Sequence, residues 1–254
     1  MRARFAIWLG FVAAIVATAP SHAQTATPPA VVAKPGTLPP ALSAADLAFG
    51  RNIALIRGHL LTGDELVAQR SWDVAAMHFG FPREEIYGLI REDLRTYKVP
   101  AFDWALKALV NVAKSRNARQ FPKARQSVET LLVAADASLK ARQQSWPRFI
   151  LAVAIAVLKT APDEYDDAVV KGRVARPIGY QTARGLVLQA ERMIESVAGE
   201  FASDKAAALA EVRAGFAELK AAQPSVDAPK QATMDEAAFQ RAVDKIETAA
   251  AKLR

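Results

Sequence analysis

The residues with the clearest chemical potential are two histidines, His59 and His78, in the stretch GHLLTGDELVAQRSWDVAAMHFGFPREEIYG from Gly58 to Gly88. An imidazole near neutral pH is a transition-metal ligand or a proton carrier. At about 100° per residue, His59 shares a helical stripe with Ala48, Asn52, Leu55, Ile56, Gly63 and Leu66, whereas Asp46, Arg57 and Asp64 lie roughly opposite. The stripe is apolar or small apart from Asn52, so His59 is expected to point into a bundle. Glu65 is about 240° further round and cannot share a site with His59 on a regular helix, which excludes a single-helix zinc motif. His78 lies above Val74 and Ala75 near the end of a short helix. Two inward histidines on consecutive antiparallel helices can meet in a bundle core, where carboxylate–histidine metal sites are built. Further ligands would come from Glu84 and Glu85, or from Asp64 or Glu65 if Gly63 distorts its helix. The same residues also suit a metal-free core in which each ring nitrogen bonds a carbonyl or hydroxyl. Glu84 and Glu85 equally suit a helix N-terminus, whose dipole favours carboxylates.

A second constellation is PDEYDDAVVKGRVARPIGYQTARGLVLQAE, residues 162–191. Asp163, Glu164, Asp166 and Asp167 surround Tyr165 in the first turns of a helix, and Tyr180 and Arg184 follow on the next. The acids could attract a cation while Tyr180 hydrogen-bonds inside the bundle. Alternatively they form a solvated acidic cap, because Asp163 and Asp167 at i and i+4 repel each other unless hydrated.

The elements that must position these groups are all helical. Apolar residues recur at helical spacing from Ser43 to the C-terminus, and alternation of the strand type is nowhere sustained. The spacing predicts an all-α, up-and-down bundle without a sheet, with helices near 44–69, 72–79, 83–97, 101–117, 121–144, 147–160, 162–171, 178–198, 203–221 and 233–253. Pro82, Pro122, Pro147 and Pro162 fall where the first turn of a helix tolerates a missing N–H. Phe149–Leu158 is apolar all round but too short to span a bilayer, and reads as a buried helix. Residues 43–221 form the expected bundle domain, and 222–254 a linker with a terminal amphipathic helix.

At the N-terminus, Arg2 and Arg4 precede a short apolar run and Ser21-His22-Ala23, the pattern of a cleaved secretory signal over residues 1–23. Residues 24–42 read as a disordered Pro/Ala-rich leader. The chain is therefore expected to be periplasmic, with no stable membrane span after cleavage. It has no cysteine, so neither disulfides nor thiol chemistry operate. There are 33 Lys+Arg against 26 Asp+Glu, interspersed along helical faces without a basic block, so nucleic acid is not an expected partner.

The pattern Tyr165-x-x-Ala168-Val169-x-x-Gly172-x-Val174, then Tyr180-x-x-Ala183-Arg184-Gly185, resembles a helical pair of imelysin-like proteins and of the periplasmic helical regions attached to bacterial iron permeases. The set Gly58-His59, Glu65, Trp72, His78 and Glu84-Glu85-Ile86-Tyr87 is similar to a group of exported bacterial proteins related to them. Where that group carries His-x-x-His-Pro, this chain reads His78-Phe79-Gly80-Phe81-Pro82; where the iron-associated proteins carry a glutamate before the tyrosine, it has Gly179. The Gly-x-His-x-x-Glu signature of imelysins is absent. The resemblance implies a binding protein associated with iron or another transition-metal ion, and a periplasmic protein partner. An interaction protein without metal is the alternative, for which the Ala-rich helices near Ala206–Ala222 and Ala237–Ala250 are suited. An enzyme, such as a metallohydrolase, is disfavoured because neither a Ser-His-Asp arrangement nor an H-E-x-x-H helix is present.

Overall fold

A computed structural model describes residues 41–254; the expected signal and all but the last two residues of the leader lie outside the described residues. Ala41–Arg254 forms one compact unit. Its helices are α1 (Ala44–Ala68), α2 (Trp72–Phe81), α3 (Tyr87–Ile90), α4 (Asp103–Lys114), α5 (Phe121–Lys140), α6 (Trp146–Leu158), α7 (Ala161–Ala168), α8 (Pro177–Ser196), α9 (Ala206–Ala222) and α10 (Glu236–Ala251). Prolines occupy the first turns of α5, α6, α7 and α8, where no intrahelical partner is lost. The described residues contain no helix long and apolar enough to cross a membrane.

Helix α1 is the organising element. Ser43 caps it by accepting from the Asp46 amide at 3.3 Å, and it packs against α2, α6 and α8. The face carrying Asp46, Arg57 and Asp64, expected to lie away from the core, is covered by α5 through ion pairs. Arg57 reaches Glu129 and Asp136, and Arg125 reaches Asp64. Asp46 is itself buried and accepts from Tyr97 Oη at 2.9 Å, Arg142 Nε at 3.1 Å and Gln143 Nε2 at 2.9 Å. Burial opposes its ionisation, yet these three donors hold its carboxyl below the ordinary value. Asp46→Ala is expected to lower stability by about 2 kcal/mol, because it strands the Tyr97 hydroxyl and removes charge-assisted bonds. A urea midpoint unchanged from the parent would refute this role.

Two departures from the sequence reading bear on the site. The helix expected over 83–97 is broken. α2 runs into a widened π-type turn, Pro82–Ile86, in which the Tyr87 amide bonds the Pro82 carbonyl, before the short α3. Pro82 has no N–H for the His78 carbonyl and its ring would crowd that turn, so the helix widens there. The expectation of no sheet also needs correction. Val169–Val170 and Arg173–Val174 pair antiparallel around Lys171 and Gly172, both at positive φ (53° and 73°), as a two-residue primed turn requires.

The segment expected as a linker extends that hairpin: Val174 N bonds Lys230 O, and Ala232 N bonds Gly172 O. Residues 223–234 thus form a strap pinned across α7 and α8, and Tyr165 Oη donates to Met234 O at 2.8 Å. Helix α10 packs on α9, α7 and α6, with Phe239, Val243 and Ile246 fully buried.

Candidate functional site

Two glycines decide how closely the helices around the histidines approach. A Cβ on Gly185 of α8 would collide with Thr62 Oγ1 and the Gly58 carbonyl of α1, and one on Gly63 would collide with the Phe79 ring of α2. Helix α8 therefore crosses α1 at backbone range, while the Phe79 ring of α2 fills the space that Gly63 leaves open. Thr62 Oγ1 spans the first crossing, donating to Gln181 O at 3.1 Å.

This geometry brings His59 and His78 together, with ring centroids 5.9 Å apart and planes inclined by 35°. Phe81, at the end of α2, covers both rings at 5.4 and 6.0 Å. His78 is fully buried, and its Nε2 lies 3.0 Å from Gln181 Oε1. Gln181 Nε2 donates to Val226 O of the strap, so its amide orientation is fixed and Oε1 must face the imidazole. His78 Nε2 then carries the proton, and Nδ1 presents a lone pair. That Nδ1 is buried without a hydrogen-bond partner among the described residues, as is Nδ1 of His59. Burial, reinforced by the neighbouring His78, pushes His59 down to about 3. Burial, partly opposed by the Gln181 bond, pushes His78 down to about 4. Both rings are therefore neutral at pH 7, the protonation state in which imidazole ligates metals.

Ring spacing bears directly on what the pair can do. Two imidazoles bound to one ion by metal–nitrogen bonds of about 2.0–2.1 Å have ring centroids from about 5 Å apart at a tetrahedral angle to about 6.5 Å when nearly linear. The observed separation falls in that range. The donor set is two nitrogens: among the described residues no group of three or more His, Asp or Glu could hold a metal ion.

Glu84 and Glu85 are not placed with the histidines. Both are exposed on the π-type turn. Glu84 lines a cleft of about 480 Å³ with Met77, Gly80, Phe81 and Lys114. Glu85 instead adds to the negative field of α7. There Glu164 is pushed up to about 7, first by burial and then by Asp167, Asp163 and Glu85. Asp163, Asp166 and Asp167 are exposed, the arrangement of a solvated acidic cap.

The second constellation joins the first through α8. Arg184 grips Glu65 with two bonds, at 3.1 and 3.2 Å, and donates to Gln223 O at 3.0 Å. Glu65 thus faces α8, away from any site shared with His59. Tyr180 is fully buried, and its hydroxyl has no hydrogen-bond partner among the described residues. Tyr165 stacks on Phe239 at 4.2 Å and lies 6.4 Å from Tyr180. A Cβ on Gly179 would press on the Glu164 carbonyl and Ala168, so a larger side chain at this position would have to push α7 and α8 apart.

Sequence reasoning missed Gln181, Gln223 and Thr62. Their signal is a polar residue on an otherwise apolar helical stripe. Gln181, Gly185 and Gln189 recur at four-residue spacing on the buried face of α8, which marks a helix that carries amides into a core.

Residues 140–254 match the family model described as the iron permease-associated 4-helix bundle domain. No curated protein and no solved structure matches the chain. Of the two families the sequence resembles, the iron permease-associated one is therefore the one with a matching model. The matched part contains Tyr165, Tyr180, Gln181, Arg184 and Gln223; His59 and His78 precede it.

Proposed function

We propose that this protein is an exported helical accessory of iron uptake that takes up a metal ion at the His59–His78 pair and acts beside a membrane permease. One observation carries the reading: two neutral imidazoles whose buried Nδ1 atoms have no partner among the described residues sit at ligand-compatible spacing, and His78 is tied through Gln181 to a helix that matches the iron permease-associated domain. Imidazole suits ferrous, zinc and copper ions alike. A closed structural site would want four protein ligands; two nitrogens suit transient binding completed by water, as transfer to a permease requires. A second reading, a protein-interaction bundle with a metal-free polar core, is favoured by the absence of a third converging ligand among the described residues.

Metal titration separates the two. Purified protein melted with ferrous ion under anaerobic conditions, and in parallel with zinc and cuprous ions, should gain about 5–10 °C at a hundredfold excess over the dissociation constant. His59→Gln and His78→Gln should each abolish that gain. A parent indifferent to all three ions, or variants that respond as the parent does, would leave the interaction reading.

A further inference from the structure

A second site lies between α1, α5, α6 and α8, in a cleft of about 510 Å³ that neither histidine lines. That volume is within the range of small-molecule pockets. One wall is apolar: Trp146 and Phe149 stack there at 5.5 Å and 21°, next to Met193. The opposite wall is charged. Arg57 and Arg125 line it, and their donors are engaged: Arg57 pairs with Glu129 at 3.1 Å and Asp136 at 2.8 Å, while Arg125 pairs with Glu129 and Asp64 at 3.1 Å.

Two groups in the cleft are left over. Gln189 is only 6% exposed, yet its carboxamide forms no hydrogen bond among the described residues. Its carboxamide lines the cleft and reaches its open space, so its donors and acceptor are available to a ligand atom. Arg192 stands three residues further along α8, on the same face, at the exposed rim. It makes no ion pair or hydrogen bond among the described residues and acts only at range on Asp64. Arg57, Arg125 and Arg192 are matched in number by Glu129, Asp136 and Asp64, but Arg57 and Arg125 are held in close ion pairs and Arg192 is not, so Arg192 is the cation of the cleft left to meet an anion.

We propose that this cleft binds a small organic carboxylate with an apolar body. The carboxylate accepts from the Gln189 amide and the Arg192 guanidinium, and the body lies on Trp146 and Phe149. The guanidinium fork matches a carboxylate in shape as well as charge, and the stacked rings supply the contact that inorganic anions cannot use. The site does not depend on the histidine pair, so loss of either leaves the other standing.

The probes are benzoate and octanoate, with inorganic phosphate and benzylamine as comparisons, titrated by calorimetry and by Trp146 emission against a Trp146→Phe background. Benzoate or octanoate should bind, and Arg192→Gln and Gln189→Leu should each weaken binding about tenfold, the loss of one charge-assisted or otherwise unsatisfied bond. Arg192 is on the rim and Gln189 makes no hydrogen bond among the described residues, so both variants should melt at or near the parent's temperature. Should Gln189→Leu misfold, Arg192→Gln alone decides. The proposal fails if no carboxylate binds, if phosphate or benzylamine binds as tightly as benzoate, or if affinity is unchanged in Arg192→Gln.

Discussion

Gly185→Val is expected to cost the folded chain roughly 3 kcal/mol or more. The new Cβ would meet Thr62 Oγ1 and the carbonyl of Gly58, and the second of these is backbone. A side-chain tip can rotate away, but a carbonyl inside α1 cannot, so relief requires α1 and α8 to part. Parting them breaks the Thr62–Gln181 bond and withdraws Gln181 from His78. The valine variant should therefore lose both stability and any metal response of the imidazole pair. Gly88→Ala is the matched control: nothing lies within 4 Å of its Cβ, so replacing glycine in a helical turn should be neutral or stabilising by up to about 1 kcal/mol. If urea unfolding gives Gly185→Val the same midpoint as the parent, the close crossing does not set the site's geometry.

The same crossing shows what a sequence of this kind discloses. Helix positions were legible from periodicity and from prolines at first turns, because both are local: α1 begins at Ala44 and ends at Ala68, against 44–69 expected. The inward direction of His59 and the exclusion of Glu65 from its site followed from helical angles alone. Partners were not legible, because they depend on which helix lies across each face. Glu84 and Glu85 are adjacent to the histidines in sequence, yet the widened turn at Pro82 directs them elsewhere. The amide that orients His78 comes instead from Gln181, 103 residues away. Asp46 was expected on the face opposite His59. Its backbone amide bonds the capping Ser43, and its side chain is buried against Tyr97, Arg142 and Gln143. The strap at 223–234 was hidden for a different reason. Its composition (AQPSVDAPKQA) is that of a linker, and what holds it is backbone pairing to a two-residue hairpin and to side chains of α7 and α8, which no periodicity announces.

Acid should discriminate a buried neutral pair from an ordinary surface pair. An unfolded imidazole takes up its proton near 6.5, whereas folded His59 and His78 hold off until about 3 and about 4. Below pH 6.5 the unfolded state binds more protons than the folded one, so this contribution to stability is complete above 6.5 and is lost as pH falls towards 4. The loss approaches 1.36 kcal/mol per pH unit for each ring, or up to about 2 kcal/mol per histidine at pH 5. Glu164 works in the opposite direction. Its folded carboxyl is raised from 4.5 to about 7, chiefly by burial, so its ionisation destabilises the fold at neutral pH and that cost is relieved as the pH falls through the same window. The parent's pH profile therefore mixes two slopes of opposite sign. The difference between parent and His59→Gln/His78→Gln isolates the imidazoles: the double variant should gain on the parent by roughly 2–4 kcal/mol between pH 7 and pH 5 in urea unfolding. A difference that stays constant over that interval would mean the rings are solvated in the folded protein, with ordinary proton affinity and no buried Nδ1 to offer a metal. Repeating the measurement with saturating zinc sharpens the outcome, because ligation requires the neutral rings. Because the folded rings stay neutral down to about pH 4, zinc should raise the parent's stability by a nearly constant increment between pH 7 and pH 5 and leave the double variant's profile unchanged.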